Sequence, residues 1–475
     1  MIIPDSNSAS TGGYEIDNSL KLENDNAEQL YYTPSSAGNL KTWTYSCWFK
    51  RTELSYNMML FGANDTYVYF ETDDTLKLRF TGTYVFDTAR VFRDTSAWTH
   101  IVVAVDTTQA TEADRIKIYF NGEDQAGLFA NDSFPAQNTN TSWNNTLVHY
   151  VAGWATASFN PSCYLAEVYN IDGQKLEATD FGEFDEDTGI WKPIEYTGTF
   201  GSYGYYWDFS NASNYAEDQS GTASGTSQMT EQSISTTTAM QSTDTPTNNF
   251  CIPQVTQAYS STDTILFTEG GTKLTTGSGT GWRTMHPTMS LANGKWYFEV
   301  EAPATNPTSS SIMIAITPTK RWTESAYAHF YAGQASGDGL GWYLDSTRFR
   351  YDDGTAITPP TNTLNAGDII GIALDMDNNF VYSSINGSWL QNQSSVTGVP
   401  TSGVSGTGAE TISDEPHMIG ISMYSPSKTI NINYGGYTTI SIASGNSDAN
   451  GYGNFEYAPP SGYYALCSKN LAEFG

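Results

Sequence analysis

Four acidic side chains are crowded into the segment GEFDEDTG, and paired carboxyl groups are the chemistry that cleaves glycosidic bonds. They are Glu183, Asp185, Glu186 and Asp187. A retaining mechanism needs two carboxyl groups about 5 Å apart, which alternate residues on one strand face can provide. Here glycines flank the acids and the alternation is broken, so the pattern favours a solvated loop. Because carboxylates can also assemble in space from distant segments, a glycan-degrading enzyme stays as an alternative.

The other residues that could carry catalysis show no catalytic spacing. The five histidines are His100, His149, His286, His329 and His417. They form neither HxH nor HExxH, and no GxSxG or phosphate-binding glycine loop accompanies them. His100 precedes the apolar run IVVAV, which predicts a central strand and a structural histidine. We therefore expect a protein that is not an enzyme.

Calcium is the one cofactor that the residues leave open. Carboxylate and carbonyl oxygens at a loop rim can bind it, and four aspartates are available. They are Asp73, Asp74, Asp106 and Asp124. No fixed ligand spacing singles them out, so these four remain weak calcium candidates.

Two groups of aromatic residues in loop-like sequence are candidate ligand-binding residues. Trp143 and Trp154 lie in TNTSWNNT and AGWATASF, where an exposed indole could stack on a sugar ring; a Trp that closes one end of a sandwich is the alternative. Trp322, Tyr327 and Tyr331, with His329 and Phe330 beside them, lie in TKRWTESAYAHFYAG. Such residues offer large contact areas at low entropic cost, although the segment could equally pack across the sheets.

Composition excludes several partners for these side chains. The 475 residues include 51 acidic and 21 basic side chains, which gives a net charge of −30. So few cations disfavour nucleic acid and anionic membrane surfaces, and no apolar segment is long enough to span a bilayer. Low charge with abundant Tyr, Thr, Ser, Asn and Gly is typical of an all-β protein with many turns.

The elements that must position these residues are short strands. Apolar runs bounded by turn residues recur along the chain, and three Asn-Gly pairs predict tight hairpins, at Asn121-Gly122, Asn293-Gly294 and Asn386-Gly387. Only residues 175–181 resemble a short helix. We expect two unlike antiparallel β-sandwich domains joined by a Ser/Thr-rich connector. The boundaries are an N-terminal arm at 1–13, a jelly roll at 14–209, the connector at 210–261 and a second sandwich at 262–475.

The four cysteines, Cys47, Cys163, Cys251 and Cys467, are scattered and form no CxxC pair. The start MIIPDSNSAS does not read as a secretory signal, so free thiols are favoured. A bridge between Cys47 and Cys163, which lie in apolar strand-like runs, stays open.

The first sandwich resembles laminin-G/concanavalin A-like lectin domains. The order of its segments carries the resemblance: TWTYSCWFKR, LFGAND, AWTHIVVAVD, KIYFNGE and CYLAEVYNIDGQKL. The matching positions are Trp98, His100, Tyr119, Asn121, Gly122, Leu165, Glu167 and Val168. The resemblance covers residues 14–185 and departs from the family at Ser162-Cys163, where a glycine is usual.

The second sandwich resembles SPRY domains over residues 262–474. The strand GDIIG at 367–371 precedes the turn DMDN at 375–378 and the Asn386-Gly387 hairpin, and the chain closes with GYYALCSKNL. That family consists of binding platforms that hold peptides or proteins in surface loops, so the resemblance implies no catalytic residues.

The whole chain resembles appendage proteins of marine bacteriophages, on the domain pairing and on passages such as TPSSAGNLKTWTYSCWFKR and DFGEFDEDTGIWKP. The resemblance implies a virion protein, assembled in the host cytoplasm and exposed on the particle, that serves as a tail or head fibre. Its expected partners are other virion proteins and a host-surface glycan or protein, and the chain is expected to form homo-oligomers, with a trimer as the common arrangement. A capsid decoration protein is the alternative.

Overall fold

The protein divides into two compact units, which the computed structural model describes over most of the chain. One unit is Asp5–Asn249 and the other contains Phe250–Gly475. We call them the N-terminal and the C-terminal unit. The structure describes residues 13–24, 28–81, 83–155, 159–222, 230–232, 240–254, 265–279, 282–303, 312–320, 339–344, 350–352, 355–357, 364–392, 396–404, 409–424 and 426–475.

The N-terminal unit consists of short strands with two 3₁₀ turns, Glu112–Asp114 and Ala178–Asp180. Its strands are β1 (Ser19–Leu22), β2 (Gln29–Tyr32), β3 (Thr42–Arg51), β4 (Met58–Ala63), β5 (Thr66–Phe70), β6 (Thr75–Phe80), β7 (Thr83–Val91), β8 (Thr99–Asp106), β9 (Ile116–Phe120), β10 (Glu123–Asp124), β11 (Phe129–Asp132), β12 (His149–Val151), β13 (Cys163–Asp172), β14 (Gly182–Phe184), β15 (Trp191–Pro193), β16 (Tyr205–Trp207), β17 (Thr230–Gln232) and β18 (Gln241–Ser242).

Two antiparallel sheets of this unit share one core. In the described residues, sheet I has the order β10-β9-β8-β3-β13-β1-β18, with β16 also paired to β13, and sheet II has the order β11-β7-β6-β5-β4-β12-β2-β17. Alternate side chains of both sheets point inward, for example Phe49 and Ile101 from sheet I and Phe70 and Leu78 from sheet II. The predicted sandwich of this unit is therefore present.

The stretch predicted as a connector, residues 210–261, differs from that prediction in its described part. Strand β17 pairs with β2 at the edge of sheet II, and β18 pairs with β1 at the edge of sheet I. The boundary between the two units falls between Asn249 and Phe250, twelve residues before the predicted start of the second domain. Edge strands are held by backbone hydrogen bonds, which do not need apolar side chains, so the polar composition was misleading here.

The C-terminal unit is a second antiparallel sandwich with a 3₁₀ turn, Pro400–Ser402, and a closing helix α1 (Ser468–Phe474) that the sequence did not predict. Its strands are β19 (Ile265–Thr268), β20 (Lys273–Thr276), β21 (Arg283–Met285), β22 (Lys295–Glu301), β23 (Ile312–Pro318), β24 (Leu340–Tyr343), β25 (Arg350–Asp352), β26 (Thr355–Ile357), β27 (Ile369–Asp375), β28 (Phe380–Ile385), β29 (Ser388–Trp389), β30 (Glu410–Thr411), β31 (His417–Met423), β32 (Thr429–Asn433) and β33 (Tyr464–Ala465).

Its core also lies between two sheets. In the described residues, one sheet has the order β19-β20-β32-β22-β27-β28-β29, with β30 on β28 and β33 on β22, and the other has the order β21-β31-β23-β24-β25-β26. Phe298 and Ile372 of the first sheet pack in one cluster with Ile314 and Ile421 of the second. The carboxylate of Asp448 accepts hydrogen bonds from the Ala465 amide at 2.9 Å and the Asn470 side chain at 2.8 Å, which fixes the closing segment.

Two of the three predicted Asn-Gly hairpins are present. Asn121-Gly122 joins β9 to β10 with φ of 46° and 79°, and Asn386-Gly387 joins β28 to β29 with φ of 47° and 75°. These positive values suit the primed turns of two-residue hairpins. The prediction at Asn293-Gly294 was wrong, because β21 before it and β22 after it belong to different sheets. That turn instead contacts the turn at 375–378, since the Gly294 amide donates to Asp377 Oδ1 at 2.8 Å.

The predicted short helix over residues 175–181 is reduced to the 3₁₀ turn Ala178–Asp180. All four cysteines are buried free thiols, so Cys47 and Cys163 are not bridged. Burial raises the pKa of both of these thiols. Over the described residues, no helix is long and apolar enough to cross a membrane.

Candidate ligand-binding face of sheet II

Strand alternation places a set of tyrosines on the outer face of sheet II. In β5, Val68 points into the core, so Tyr67 lies on the opposite face. In β12 the same alternation buries Val151 and turns Tyr150 outward, and in β2 Leu30 is buried next to the outward Tyr31. Tyr31, Tyr67 and Tyr150 are each partly exposed.

The strand register aligns these residues in one row. Tyr31 lies opposite Tyr150, Tyr150 opposite Gly62, and Gly62 opposite Tyr67. Arg79 of β6 lies opposite Tyr67 and continues the row. Five neighbouring strands spaced by about 4.8 Å span roughly 19 Å, so the row forms an elongated surface across the sheet.

Trp154 lies over the middle of this row. Its ring centroid is 5.2 Å from that of Tyr150 and 5.4 Å from that of Tyr67, in tilted arrangements. Gly62 makes room for it, because a Cβ there would lie 2.4 Å from Tyr67 Cβ and 2.9 Å from Trp154 Cζ3. We call Tyr31, Tyr67, Tyr150 and the partly exposed Trp154 the aromatic platform.

A cation closes one end of the platform. The Arg79 guanidinium carbon lies 5.8 Å from the centroid of Tyr67 and 6.0 Å from that of Tyr69, which is cation–π distance. The neighbouring Lys77 is balanced by Glu71 at 2.5 Å and Asp87 at 3.9 Å. Burial raises the pKa of Tyr150, and the adjacent Tyr31 adds to this, so the Tyr150 side chain presents a neutral hydroxyl group. The face therefore combines flat apolar rings with hydrogen-bonding hydroxyls and one cation.

Trp154 is thus the sequence-predicted binding residue that the structure places on this surface, whereas Trp143 is not available to a ligand. Trp143 is 0% exposed and packs against Tyr45, Phe61 and His149 in the core. Its Nε1 donates to Asn170 Oδ1 at 2.9 Å, which satisfies its one polar atom. The expectation of an exposed indole at Trp143 was wrong, because a Trp that closes the core can sit in the same Asn-rich sequence.

The second predicted aromatic group lies outside the described residues. Trp322, Tyr327 and Tyr331, with His329 and Phe330, all fall in 321–338. They remain a sequence prediction.

The four calcium candidates do not come together in the described structure. The Asp74 carboxylate is buried between Arg51 at 3.1 Å and Arg93 at 2.9 Å, and Asp124 pairs with Lys117 at 3.1 Å. Asp73 accepts from the amide and hydroxyl of Thr75, and Asp106 accepts from Thr42, Thr108 and Gln109. Among the described residues, no group of three or more His, Cys, Asp or Glu side chains could hold a metal ion.

The acidic segment and His100 have structural partners. Asp185 accepts from the amide and hydroxyl of Thr188 and from Lys192, and these contacts hold its pKa at about 2. Lys192 also pairs with Glu183 at 3.3 Å. His100 is 1% exposed, and burial lowers its pKa to about 3. Its Nδ1 accepts from Trp191 Nε1 at 3.1 Å, so Nε2 carries the proton that it shares with Ser46 Oγ at 2.8 Å.

Sequence reasoning missed Tyr31, Tyr67 and Tyr150. Their segments, QLYY, TYVYF and VHYV, each alternate an aromatic residue with a core residue, and this alternation was a usable signal. The register that aligns them could not be derived from the sequence, because β2, β5 and β12 are far apart along the chain and β12 inserts between β2 and β4.

Comparison with known protein families supports a lectin-like sandwich in the N-terminal unit. A model of the concanavalin A-like lectin/glucanases superfamily, of the laminin-G type, matches residues 24–160, within the N-terminal unit. The search among curated proteins found no match. The family match agrees with the all-β fold of the chain, in which each unit has a hydrophobic core between two sheets.

Similar solved structures include SPRY domains and a pentraxin. The SPRY domain of human HERC1 is 16% identical, with 38% of this chain and 96% of that chain covered and a TM-score of 0.28. A human SPRY domain is 14% identical, with 35% and 93% covered and a TM-score of 0.25. The heptameric SAP-like pentraxin of Limulus polyphemus is 14% identical, with 34% and 80% covered and a TM-score of 0.27.

Proposed function

We propose that this chain is a bacteriophage virion adhesin that binds a host-surface glycan through the aromatic platform. The observation that carries the proposal is the row Tyr31–Tyr150–Gly62–Tyr67 with Trp154 over its middle. A lectin-like sandwich fold over residues 24–160 agrees with a binding role.

The chemistry of the platform suits a sugar chain. Aromatic rings provide large and rigid contact areas for the apolar faces of sugar rings, while phenol hydroxyls and the Arg79 guanidinium offer hydrogen bonds to sugar hydroxyls. A row of roughly 19 Å across five strands would contact several successive sugar units of a polymer. Because the three tyrosine rings are held on paired strands, little conformational entropy of these side chains is lost when a ligand binds.

Binding without hydrolysis is part of the proposal. The acidic segment that could have supplied a glycosidase pair is engaged by Lys192 and Thr188, and a pKa of about 2 makes Asp185 unsuited to act as a general acid. The virion location is supported by the resemblance of the chain to phage appendage proteins. Immunogold labelling of particles tests it: label on the tail or head fibres is expected, and label spread over the capsid would favour a decoration protein instead.

The test of the platform is binding of the full chain to immobilised host polysaccharide. We expect Trp154→Ala and Tyr67→Ala each to weaken binding, by about 1 kcal/mol or about fivefold in Kd, because each removes one stacking ring. Phe184→Ala is the matched control, since Phe184 is 48% exposed but lies on the β14–β15 hairpin. Release of reducing ends by the wild type, or undiminished binding by both platform variants, would contradict the proposal.

A further inference from the structure

An amine, a carboxylate and a carboxamide are buried together beside sheet I. Lys50 and Asp244 are each 0% exposed, and Asn249 is 2% exposed. Lys50 lies near the end of β3, whereas Asp244 and Asn249 lie after β18, at the end of the unit. The fold therefore brings three reactive groups from distant parts of the sequence into a site closed to water.

Contacts between the three groups are direct. Lys50 Nζ donates to Asp244 Oδ2 and, at 2.8 Å, to Asn249 Oδ1. Since a C=O bond is about 1.23 Å long, Nζ lies within about 4 Å of the amide carbon Cγ. This is close to the separation from which a positioned nucleophile attacks.

Other residues hold the partners in place. Trp98 Nε1 donates to Asp244 Oδ1 at 3.0 Å, and Asn249 Nδ2 donates to the Ser96 carbonyl at 2.7 Å. Nζ lies 5.9 Å from the Trp98 ring centroid and 5.3 Å from that of Tyr164. The site is thus walled by aromatic rings, which help to keep water away from the three groups.

We propose that Lys50 and Asn249 form an intramolecular isopeptide bond, with Asp244 as the proton-transfer group. Lys50 Nζ gives one proton to the Asp244 carboxylate, which turns a buried ion pair into a neutral amine and a neutral acid. The amine lone pair then attacks Cγ of Asn249, and a bond forms between Nζ and Cγ. A second amine proton passes to Nδ2, the Cγ–Nδ2 bond breaks, and ammonia leaves.

The reaction is balanced with what the site contains. One amide replaces another, so nothing is oxidised or reduced and no co-reactant is needed. Asp244 returns its proton to the departing ammonia, which leaves as ammonium. Proximity accelerates the reaction because it makes the attack of Nζ on Cγ unimolecular. Exclusion of water prevents hydrolysis of the Asn249 amide from competing with this attack.

The bond would join two distant parts of the N-terminal unit covalently. It spans a sequence separation of 199 residues and ties β3, in the middle of sheet I, to the last residue of the unit. A cross-link around so long a loop restricts the unfolded chain in the way that a disulfide does, and it does not depend on redox conditions. The four cysteines of this chain are free thiols and form no such covalent cross-link.

Mass spectrometry of the full chain tests the proposal. We expect an intact mass about 17 Da below that of the sequence, the mass of one ammonia, and a protease-resistant branched peptide that contains Lys50 and Asn249. Lys50→Arg, which keeps the charge but cannot form the amide, and Asp244→Asn, which removes the proton acceptor, should each restore the unmodified mass. Lys21→Arg is the matched control, because Lys21 is also buried and pairs with Glu28 at 3.8 Å.

A second source of the same mass loss must be separated. Asn-Gly pairs can lose ammonia by forming a succinimide, and this chain has four of them, at Asn121, Asn293, Asn386 and Asn450. Mild alkali reopens a succinimide with addition of water but leaves an isopeptide bond intact, and fragmentation of the branched peptide locates the bond. Recovery of a linear Lys50 peptide from folded wild-type protein would overturn the proposal, and that result does not depend on whether either variant folds.

Discussion

Glu167 is a carboxyl group that the fold buries beside three phenols. It lies at a bulge in β13 with φ of 49° and accepts hydrogen bonds from Tyr14 at 3.0 Å, from Tyr206 at 2.7 Å and from Tyr169. Burial raises its pKa to about 7, although the three hydroxyl groups oppose this. The group therefore titrates close to neutral pH, and it ties Tyr14, near the start of the described chain, to sheet I.

This raised pKa predicts a pH-dependent stability. The ordinary value is 4.5 and the folded value about 7, so between these pH values the folded state binds the proton that the unfolded state has lost. The contribution is fully present below pH 4.5 and is lost as the pH rises to about 7, at up to about 1.4 kcal/mol per pH unit. Denaturant unfolding at several pH values between these limits measures it.

Glu167→Gln is the variant for that measurement, because it keeps the shape of the side chain and removes the titration. Buried His100, whose pKa is lowered, adds a slope of the opposite sign to both proteins, so the informative quantity is the difference between them. We expect the free energy of unfolding of the variant, relative to that of the wild type, to increase as the pH rises from 4.5 to about 7. Some slope should remain, since burial also raises the pKa of Glu299 in the C-terminal unit. Parallel curves for the two proteins would contradict the assignment to Glu167.

At the scale of elements, the strands with apolar alternation were predictable and the polar edge strands were not. Segments such as TWTYSCWFKR and THIVVAVD identified β3 and β8, because a buried face leaves a period of two in the sequence. β17 and β18 have the sequences TEQ and QS, and the partners that hold them are backbone groups of β2 and β1. Those partners lie about two hundred residues away, which a local pattern cannot reveal.

The same limit applies to the candidate site. Trp154 could be singled out as an aromatic residue in a polar loop, but Trp143 has a similar sequence context and is a core residue. What separates them is the glycine beneath Trp154, Gly62, which comes from a strand elsewhere in the chain. Tertiary placement, not residue type, decides which ring is available to a ligand.

The boundary between the units predicts how fragments behave. A chain that ends at residue 249 keeps β18, Asp244 and Asn249, whereas one that ends at 209 lacks both partners of Lys50 and leaves its ammonium buried without Asp244. Removal of one partner from a buried ion pair costs about 3–5 kcal/mol. We expect the fragment 13–249 to unfold cooperatively in a thermal melt followed by circular dichroism. The fragment 13–209 should show a much lower Tm or no transition, and equal transitions would contradict the assignment of residues 240–249 to this unit.

For the whole molecule, the acidic composition has consequences that no single site shows. With 51 acidic and 21 basic side chains, the folded chain carries a net charge of −30. Such an excess keeps a protein soluble but destabilises the compact state through repulsion between like charges. The basic residues are partly used in ion pairs, including the buried pair of Arg51 with Asp74, and acidic side chains exceed basic ones by 30.

This repulsion predicts that salt stabilises the protein. Between about 0.01 M and about 1 M NaCl the Debye length falls from about 30 Å to about 3 Å, so repulsion between surface carboxylates is screened while the buried pairs are little affected. We expect Tm to rise with NaCl, and calcium and magnesium chloride at matched ionic strength to raise it equally. Equality is expected because Asp73, Asp74, Asp106 and Asp124 are each engaged by separate protein groups. A saturable rise in Tm specific to calcium would contradict this and would identify a site built from other residues.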